Sequence, residues 1–408
     1  MVVVVLVVLG AVGFGAVMTV STPTLEERWT SATGSTVDGN HHAVAATTVG
    51  GTPTLFVPQG GRAGETGCGL LALDTGGEPL WRAPVTPTNC TIHAVGDPAV
   101  ARWPDDRLAV LAATSDRQLS VRDPATGSAR LTLGLEDYGY ASPQVADLTG
   151  DGRSELLVAD VSGTVYAFGI GQRADPVTVQ PRWTRAFDEY AWATPIVADV
   201  DADDGLEVVL GLGDGQVRVL DGATGQTEQL VTVGDPISWM ASGDADQDGL
   251  PELFAATSAG ELVAIDGSTG SQEWRRQLPA FAAVGPVADG DGDGRSELYA
   301  TARDGRVRAL DAASGETRWT SQLTPEAVQM MPPPSLGDVD GDGRPELVGV
   351  SHDGRVTLHD PADGTRLASY ERPGRVYTRA TLADLDGDGA MEIYVPYGDG
   401  RVVALVAG

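Results

Sequence analysis

An acidic segment that recurs six times limits this chain to a repeat architecture before any other property is weighed. The copies are ADLTGDGRSEL from Ala146, ADVDADDGLEV from Ala198, GDADQDGLPEL from Gly243, ADGDGDGRSEL from Ala288, GDVDGDGRPEL from Gly337 and ADLDGDGAMEI from Ala383. Their first aspartates, 147, 199, 244, 289, 338 and 384, stand 45 to 52 residues apart. One step of about 50 residues back from Asp147 lands on Asp97, and another reaches VGGTPTLFV near Val49, which makes eight units. A period of this size belongs to propellers and related arrays, whose units bury their apolar faces against their neighbours.

Each unit reads as four short strands. After the acidic segment comes an apolar run such as ELLVAD or ELYATA, then a hairpin signal: Asp214-Gly215, Asp304-Gly305, Asp353-Gly354 or Asp399-Gly400. An alternating strand follows, VRVLD or VRALD, closed by a turn such as Asp221 to Gly225 or Asp311 to Gly315. The fourth strand often carries a tryptophan, as at Trp81, Trp183, Trp274 and Trp319. Four short strands per unit predict an all-β, eight-bladed β-propeller over residues 21–408. The last unit stops after its third strand, RVVALVAG, whereas EERWTS around Trp29 looks like RWTS around Trp319. The strand around Trp29 is therefore expected to complete the final blade, joining it to the first and leaving no open sheet edge.

The acidic segments carry the chemistry of calcium loops. Calcium takes six to eight oxygen ligands, with carboxylates at alternate loop positions and a backbone carbonyl at the seventh. A curled loop turns positions one, three and five inward, a glycine at six permits the turn, and a ninth carboxylate closes the shell. Asp244, Asp246, Asp248 and Glu252 fit this, as do Asp289, Asp291, Asp293 and Glu297. Asp338, Asp340, Asp342 and Glu346 fit equally, and so do Asp384, Asp386, Asp388 and Glu392. Asp199, Asp201, Asp203 and Glu207 match with the glycine one place late, at Gly205. Beside Asp147, Asp151 and Glu155, Thr149 replaces a carboxylate, so this site is expected to be the weakest. Such stretches could be only polar turns in an acidic protein. Six copies with carboxylates in the same slots favour several Ca2+ ions, with affinities of roughly 10⁻⁴–10⁻³ M.

Two family resemblances rest on these residues. The LDGATG rhythm from Leu220, with its downstream tryptophans, resembles the PQQ-like repeats of eight-bladed quinoprotein-dehydrogenase-like propellers. The DxDxDGxxE loops look like the FG-GAP/VCBS calcium-loop repeats of integrin α-chains and related bacterial proteins. The chain lacks the Phe-Gly dipeptide that precedes the FG-GAP loop, and its ninth position is Glu rather than Asp. The first resemblance implies a quinone-dependent dehydrogenase, which carries adjacent cysteines near its cofactor. Cys68 and Cys90 are the chain's two cysteines and are not adjacent, so PQQ is not expected.

Charge and composition narrow the partners. The chain has 57 acidic and 27 basic residues, a formal charge of −30, and every basic residue is Arg, since no Lys occurs. A surface this negative repels phosphate, which excludes nucleic acid, and is best tolerated in concentrated salt. The composition resembles that of proteins from extreme halophiles. Residues 1–20 carry no charged side chain and are long enough to span a bilayer, so they read as a membrane anchor or a signal segment. The remainder is then extracellular, anchored at the cell surface or secreted. Cys68 and Cys90 are either a disulfide or two buried thiols.

Seven residues before the first aspartate stand Tyr140, Trp192, Met331 and Tyr377, with Trp239 and Phe281 displaced by two and one. His42 and Cys90 fall at the corresponding places of the degenerate first units. Blade symmetry would gather these side chains around one mouth of the central channel, as a ligand or partner surface or as packing between blades. The five histidines, His41, His42, His93, His352 and His359, are scattered, and GxSxG, HExxH and P-loop motifs are absent. No catalytic residue can be nominated. The reading is a calcium-binding scaffold for a protein or glycan at the cell surface. Its alternatives are a calcium-dependent polysaccharide lyase, needing His or Arg as base, and a quinone-dependent enzyme.

Overall fold

The computed structural model describes residues 24–35, 37–171 and 178–408; the apolar segment 1–20 lies outside them. Among the described residues, no helix is long and apolar enough to cross a membrane. These residues form eight four-stranded antiparallel sheets, each meandering from an inner to an outer strand. The inner strands are Ala45–Val49, Ala99–Arg102, Gln144–Ala146, Ile196–Ala198, Ile237–Gly243, Ala283–Ala288, Ser335–Gly337 and Thr381–Ala383, numbered below as blades one to eight. Leu25–Thr30 pairs antiparallel with Val402–Ala407, placing Trp29 opposite Ala404, so the ring closes as the sequence predicts.

The apolar runs fold as they do because both faces of a blade are covered by its neighbours. Second strands such as Glu155–Ala159, Glu207–Gly211 and Glu392–Pro396 are buried at every position. The core is accordingly a series of clusters between consecutive blades. Val209 and Val219 of blade four pack with Leu253 and Val263 of blade five. Leu55 and Leu71 of blade one pack with Tyr394 and Ala404 of blade eight.

The tryptophans explain the DxxxG turns. Trp183 Nε1 donates to the Gly222 carbonyl of the next blade at 2.8 Å, and Trp274 Nε1 to Ala312 O at 2.8 Å. Each indole lies flat against the glycine closing that turn: a Cβ on Gly225 or Gly315 would sit 2.6 Å from the ring. Both glycines also have φ near +68° (Gly225 +67°, Gly315 +68°), a region that side chains other than glycine rarely adopt.

The repeat is misplaced at one unit. Asp97 lies before the inner strand of blade two, not after it, and the acidic-loop position is occupied by the short turn Trp103–Arg107. This loop is shortened, so a step of fixed length overshoots it. In blade one the loop is reduced to the hairpin turn Gly50-Gly51, at the place the sequence indicates. Cys68 and Cys90 form a disulfide, buried among Phe56, Leu70 and Val95 between these two blades.

Candidate functional site

The six acidic loops join inner to second strands, all on one face of the disc. The ninth-position glutamates, Glu155, Glu207, Glu252, Glu297, Glu346 and Glu392, begin the second strands and are all buried. Each Oε2 accepts the backbone N–H of the second loop residue: Leu148 (3.1 Å), Val200 (2.9 Å), Ala245 (2.6 Å), Gly290 (3.1 Å), Val339 (2.9 Å) and Leu385 (2.9 Å). In blades five to eight the first aspartate curls the loop by accepting from the fourth and sixth residues. Asp289 takes Gly292 N–H at 2.7 Å and Gly294 N–H at 2.9 Å; Asp338 and Asp384 do the same with their glycines. This geometry needs positive φ at positions four and six. In blade four Ala202 (+62°) and Asp204 (+68°) supply it, so the late Gly205 does not shift the loop.

Carboxylate oxygens converge in parts of these sets. They lie within 4.8 Å of one another in Asp199–Asp201–Asp203, Asp244–Asp246–Asp248, Asp289–Asp291–Glu297 and Asp338–Asp340–Glu346. Burial, then neighbouring aspartates, pushes Glu207, Glu252 and Glu346 up to about 7. Burial raises Glu155 and Glu297 as well, but Arg182 and Arg318 oppose it.

Those arginines come from a feature invisible in the loops themselves. Each outer strand has a β-bulge, and the bulged residue stands over its own blade's acidic loop. In blade three the bulged residue is Arg182, with Nη2 3.2 Å from Glu155 and 3.7 Å from Asp151. In blade six it is Arg318, with Nη1 2.5 Å from Glu297, 3.1 Å from Asp293 and 3.3 Å from Asp291. In blade eight it is Arg28, with Nη1 2.6 Å from Asp386 and 2.9 Å from Glu392. Blades four and five place Glu228 and Glu273 there, which adds a fifth carboxylate, and blade seven places Leu367. Glu228 and Glu273 are both raised, by burial and then by nearby aspartates. Six similar sequences therefore make two kinds of site: three with one arginine among the carboxylates, and three with none among the described residues.

At the other end of the inner strands, Tyr140, Trp192, Trp239, Phe281 and Tyr377 line one cavity of about 440 Å³ at the channel mouth. Trp192 is 40% exposed and Phe281 44% exposed, and Phe281 holds φ at +53°, a strained value for an aromatic residue. Tyr190 stacks on Trp192 with ring centroids 5.6 Å apart. Met331 does not join them. It is buried beside Tyr299 and Val328, and its neighbour Met330 lines the cavity instead.

Three histidines that look scattered in the sequence meet at this mouth. His41 and His42 precede the inner strand of blade one, His93 precedes that of blade two, and His41 and His93 both line the cavity. His41 and His93 pack edge to face with centroids 4.1 Å apart, and Tyr140 lies 4.7 Å from His42. Burial, then the neighbouring histidines, holds His41 down to about 4 and His93 to about 3, so both rings are neutral at neutral pH. The signal available in the sequence was position: His42 occupies the register of the mouth aromatics, and its partners surround the next crossing.

The sequence family described as outer membrane protein assembly factor BamB matches residues 213–407, a little under half of the chain. No curated protein sequence matches it. Among solved structures, BamB from Moraxella catarrhalis is 18% identical, with 94% of this chain and 98% of that one covered at a TM-score of 0.63. A quinohemoprotein alcohol dehydrogenase from Pseudomonas putida HK5 is 14% identical, covering 94% and 76% at 0.63. The Vibrio cholerae biofilm matrix protein Bap1 is 13% identical, covering 95% and 91% at 0.67. The chain is thus similar to BamB-type PQQ-like repeats over its second half, and to eight-bladed and related propellers in fold over nearly its whole described length.

Proposed function

We propose that this protein is a calcium-stabilised binding scaffold, displayed outside a salt-adapted cell, that takes a protein or glycan at the aromatic mouth of its channel. The carrying observation is the mouth itself. Five aromatic side chains from five blades face one cavity, and Trp192 and Phe281 remain substantially exposed at its rim. Large rings held in the open are the usual anchors of a binding surface. The matching family is described as an outer membrane assembly factor, and one similar structure is a biofilm matrix protein, which agrees in kind with an extracytoplasmic scaffold.

The acidic loops supply stability rather than recognition. Their donor sets fit Ca2+, and the ions belong first in blades four, five and seven, where no arginine stands over the carboxylates. A quinone fits less well, because the cysteines are joined in the core between blades one and two, away from an adjacent pair. A polysaccharide lyase is favoured by one observation, the presence of His41 and His93 beside Tyr138 and Tyr140 in the cavity. Screening acidic polysaccharides for unsaturated products tests it. The leading reading is tested with peptide and glycan arrays and the variants Trp192→Ala and Tyr377→Ala. Both should lose binding while melting like the parent; undiminished binding would overturn the assignment of the mouth.

A further inference from the structure

The histidines at the mouth are arranged as ligands rather than as packing. His42 Nδ1 lies 2.9 Å from Asp97 Oδ1. Asp97 also accepts the Ala43 N–H at 3.0 Å, and an ionised carboxylate can only accept. His42 Nδ1 therefore donates, and in the neutral ring this leaves Nε2 with the lone pair. His41 Nδ1 lies 2.6 Å from the Gly39 carbonyl oxygen, another pure acceptor, which fixes the same tautomer there. His93 Nδ1 approaches His42 Nε2 at 3.4 Å, longer than a sound N–H hydrogen bond.

One ring nitrogen from each of the three lies within 4.8 Å of the others. Imidazoles bind Zn2+ at about 2.0–2.1 Å, so two nitrogens on a tetrahedral ion stand about 3.3 Å apart. The 3.4 Å between His42 and His93 matches that separation. A ligating histidine also typically gives its second N–H to a carboxylate or a backbone carbonyl, and Asp97 and Gly39 fill these roles here. Aromatic packing alone requires neither the locked tautomers nor the convergence of nitrogens.

We propose that His41, His42 and His93 form a site for one transition-metal ion of the Zn2+ class on the wall of the mouth cavity, its remaining position open to that cavity. Water or a carboxylate oxygen of a ligand would take that position, as in zinc centres with three protein ligands. The site goes beyond the scaffold reading and does not depend on it: it uses nitrogen donors, at the opposite end of the inner strands from the oxygen-only acidic loops.

The test uses the full chain without a polyhistidine tag, stripped with a chelator and then held in excess Ca2+ so that the loops are filled. Titration with Co2+ should give one ion per chain, with the intense visible bands of a four-coordinate nitrogen-bound ion, and Zn2+ should displace it. His42→Gln and His93→Gln should abolish the bands while keeping the parent's circular dichroism and calcium-dependent melting. Asp97→Asn should keep the bands but weaken binding about 10–100-fold. A folded parent without such bands, or His93→Gln with unchanged bands, would overturn the site. A pale six-coordinate spectrum that Ca2+ competes away would do so too, by assigning the ion to the acidic loops.

Discussion

Replacing Glu273 by Arg should convert the acidic loop of blade five into one of the arginine-paired kind seen in blade six. Over Asp244, Asp246, Asp248 and Glu252, Glu273 occupies the bulge position that Arg318 fills one blade later. The substitution removes one negative charge and adds one positive charge beside four carboxylates. At a mostly exposed position each charge pair is worth about 1 kcal/mol, so the metal-free protein should gain about 2 kcal/mol. With about 2.1 cal/mol/K of unfolding entropy per residue, a ring of this size moves its midpoint by roughly 1–2 °C per kcal/mol. The chelated variant should therefore melt about 2–4 °C above the chelated parent. At 10 mM Ca2+ and a Kd of roughly 0.1–1 mM, one loop contributes about 1.4–2.7 kcal/mol. The parent should gain that three times over, from blades four, five and seven, and Glu273→Arg only twice. Differential scanning calorimetry in calcium and in chelator, at one fixed salt concentration, measures both changes, and isothermal titration should count three ions falling to two. A variant that keeps the parent's full calcium gain, or a parent that binds six ions, would refute the division of the loops by their bulge residue.

Further outcomes follow from other features. The ionisation of Glu207, Glu252 and Glu346 is held up to about 7 in the fold, against about 4.3 in an unfolded chain, so folding takes up protons between these values. Metal-free stability should thus fall as pH rises from about 4.5 to 7, while the gain from calcium grows; melts at pH 5.5 and 8 with and without chelator show both signs. Gly315→Ala puts a Cβ 2.6 Å from the Trp274 indole at φ +68° and should cost about 2–4 kcal/mol, read from denaturant midpoints. Replacing Cys68 and Cys90 together by Ser opens a disulfide spanning 22 residues and should cost about 3 kcal/mol by the same measurement.

The fold was legible because a propeller repeats its punctuation. Acidic loop, Asp-Gly hairpin and tryptophan recur at fixed offsets, and the pairing of Leu25–Thr30 with Val402–Ala407 could be read from RWTS beside EERWTS. The loop chemistry was half legible. Carboxylates at alternate positions are local, and the structure brings their oxygens together. The residue standing over each loop comes from the outer strand, tens of residues away in blades three to seven and from the other end of the sequence in blade eight (Arg28), and reaches it only through a bulge. Arg318 and Glu273 both precede a tryptophan in similar surroundings, so nothing local announces that one would sit as a cation over carboxylates and the other as a fifth acid. Met331 and Met330 differ by one place in a crossing segment with no strand alternation to say which of them turns inward.

The histidines were illegible for a different reason, and that reason bears on where function lies. Repetition reveals what most blades share, which here is stability: strands, tryptophan docking and acidic loops. Blades one and two have lost the acidic loops, and it is there that the unrepeated residues gather: His41, His42, His93, Asp97 and the Cys68–Cys90 bond. Cys90 stands three residues before His93, and the intervening Thr91 carbonyl accepts the Gly61 N–H at 3.0 Å. The bond therefore pins the segment that carries His93 against blade one, where His41 and His42 wait. A disulfide serving only to stabilise the ring could lie between any two blades. Its place beside the convergent nitrogens makes it a support for the mouth, and opening it should disturb metal binding there before it disturbs the other six blades.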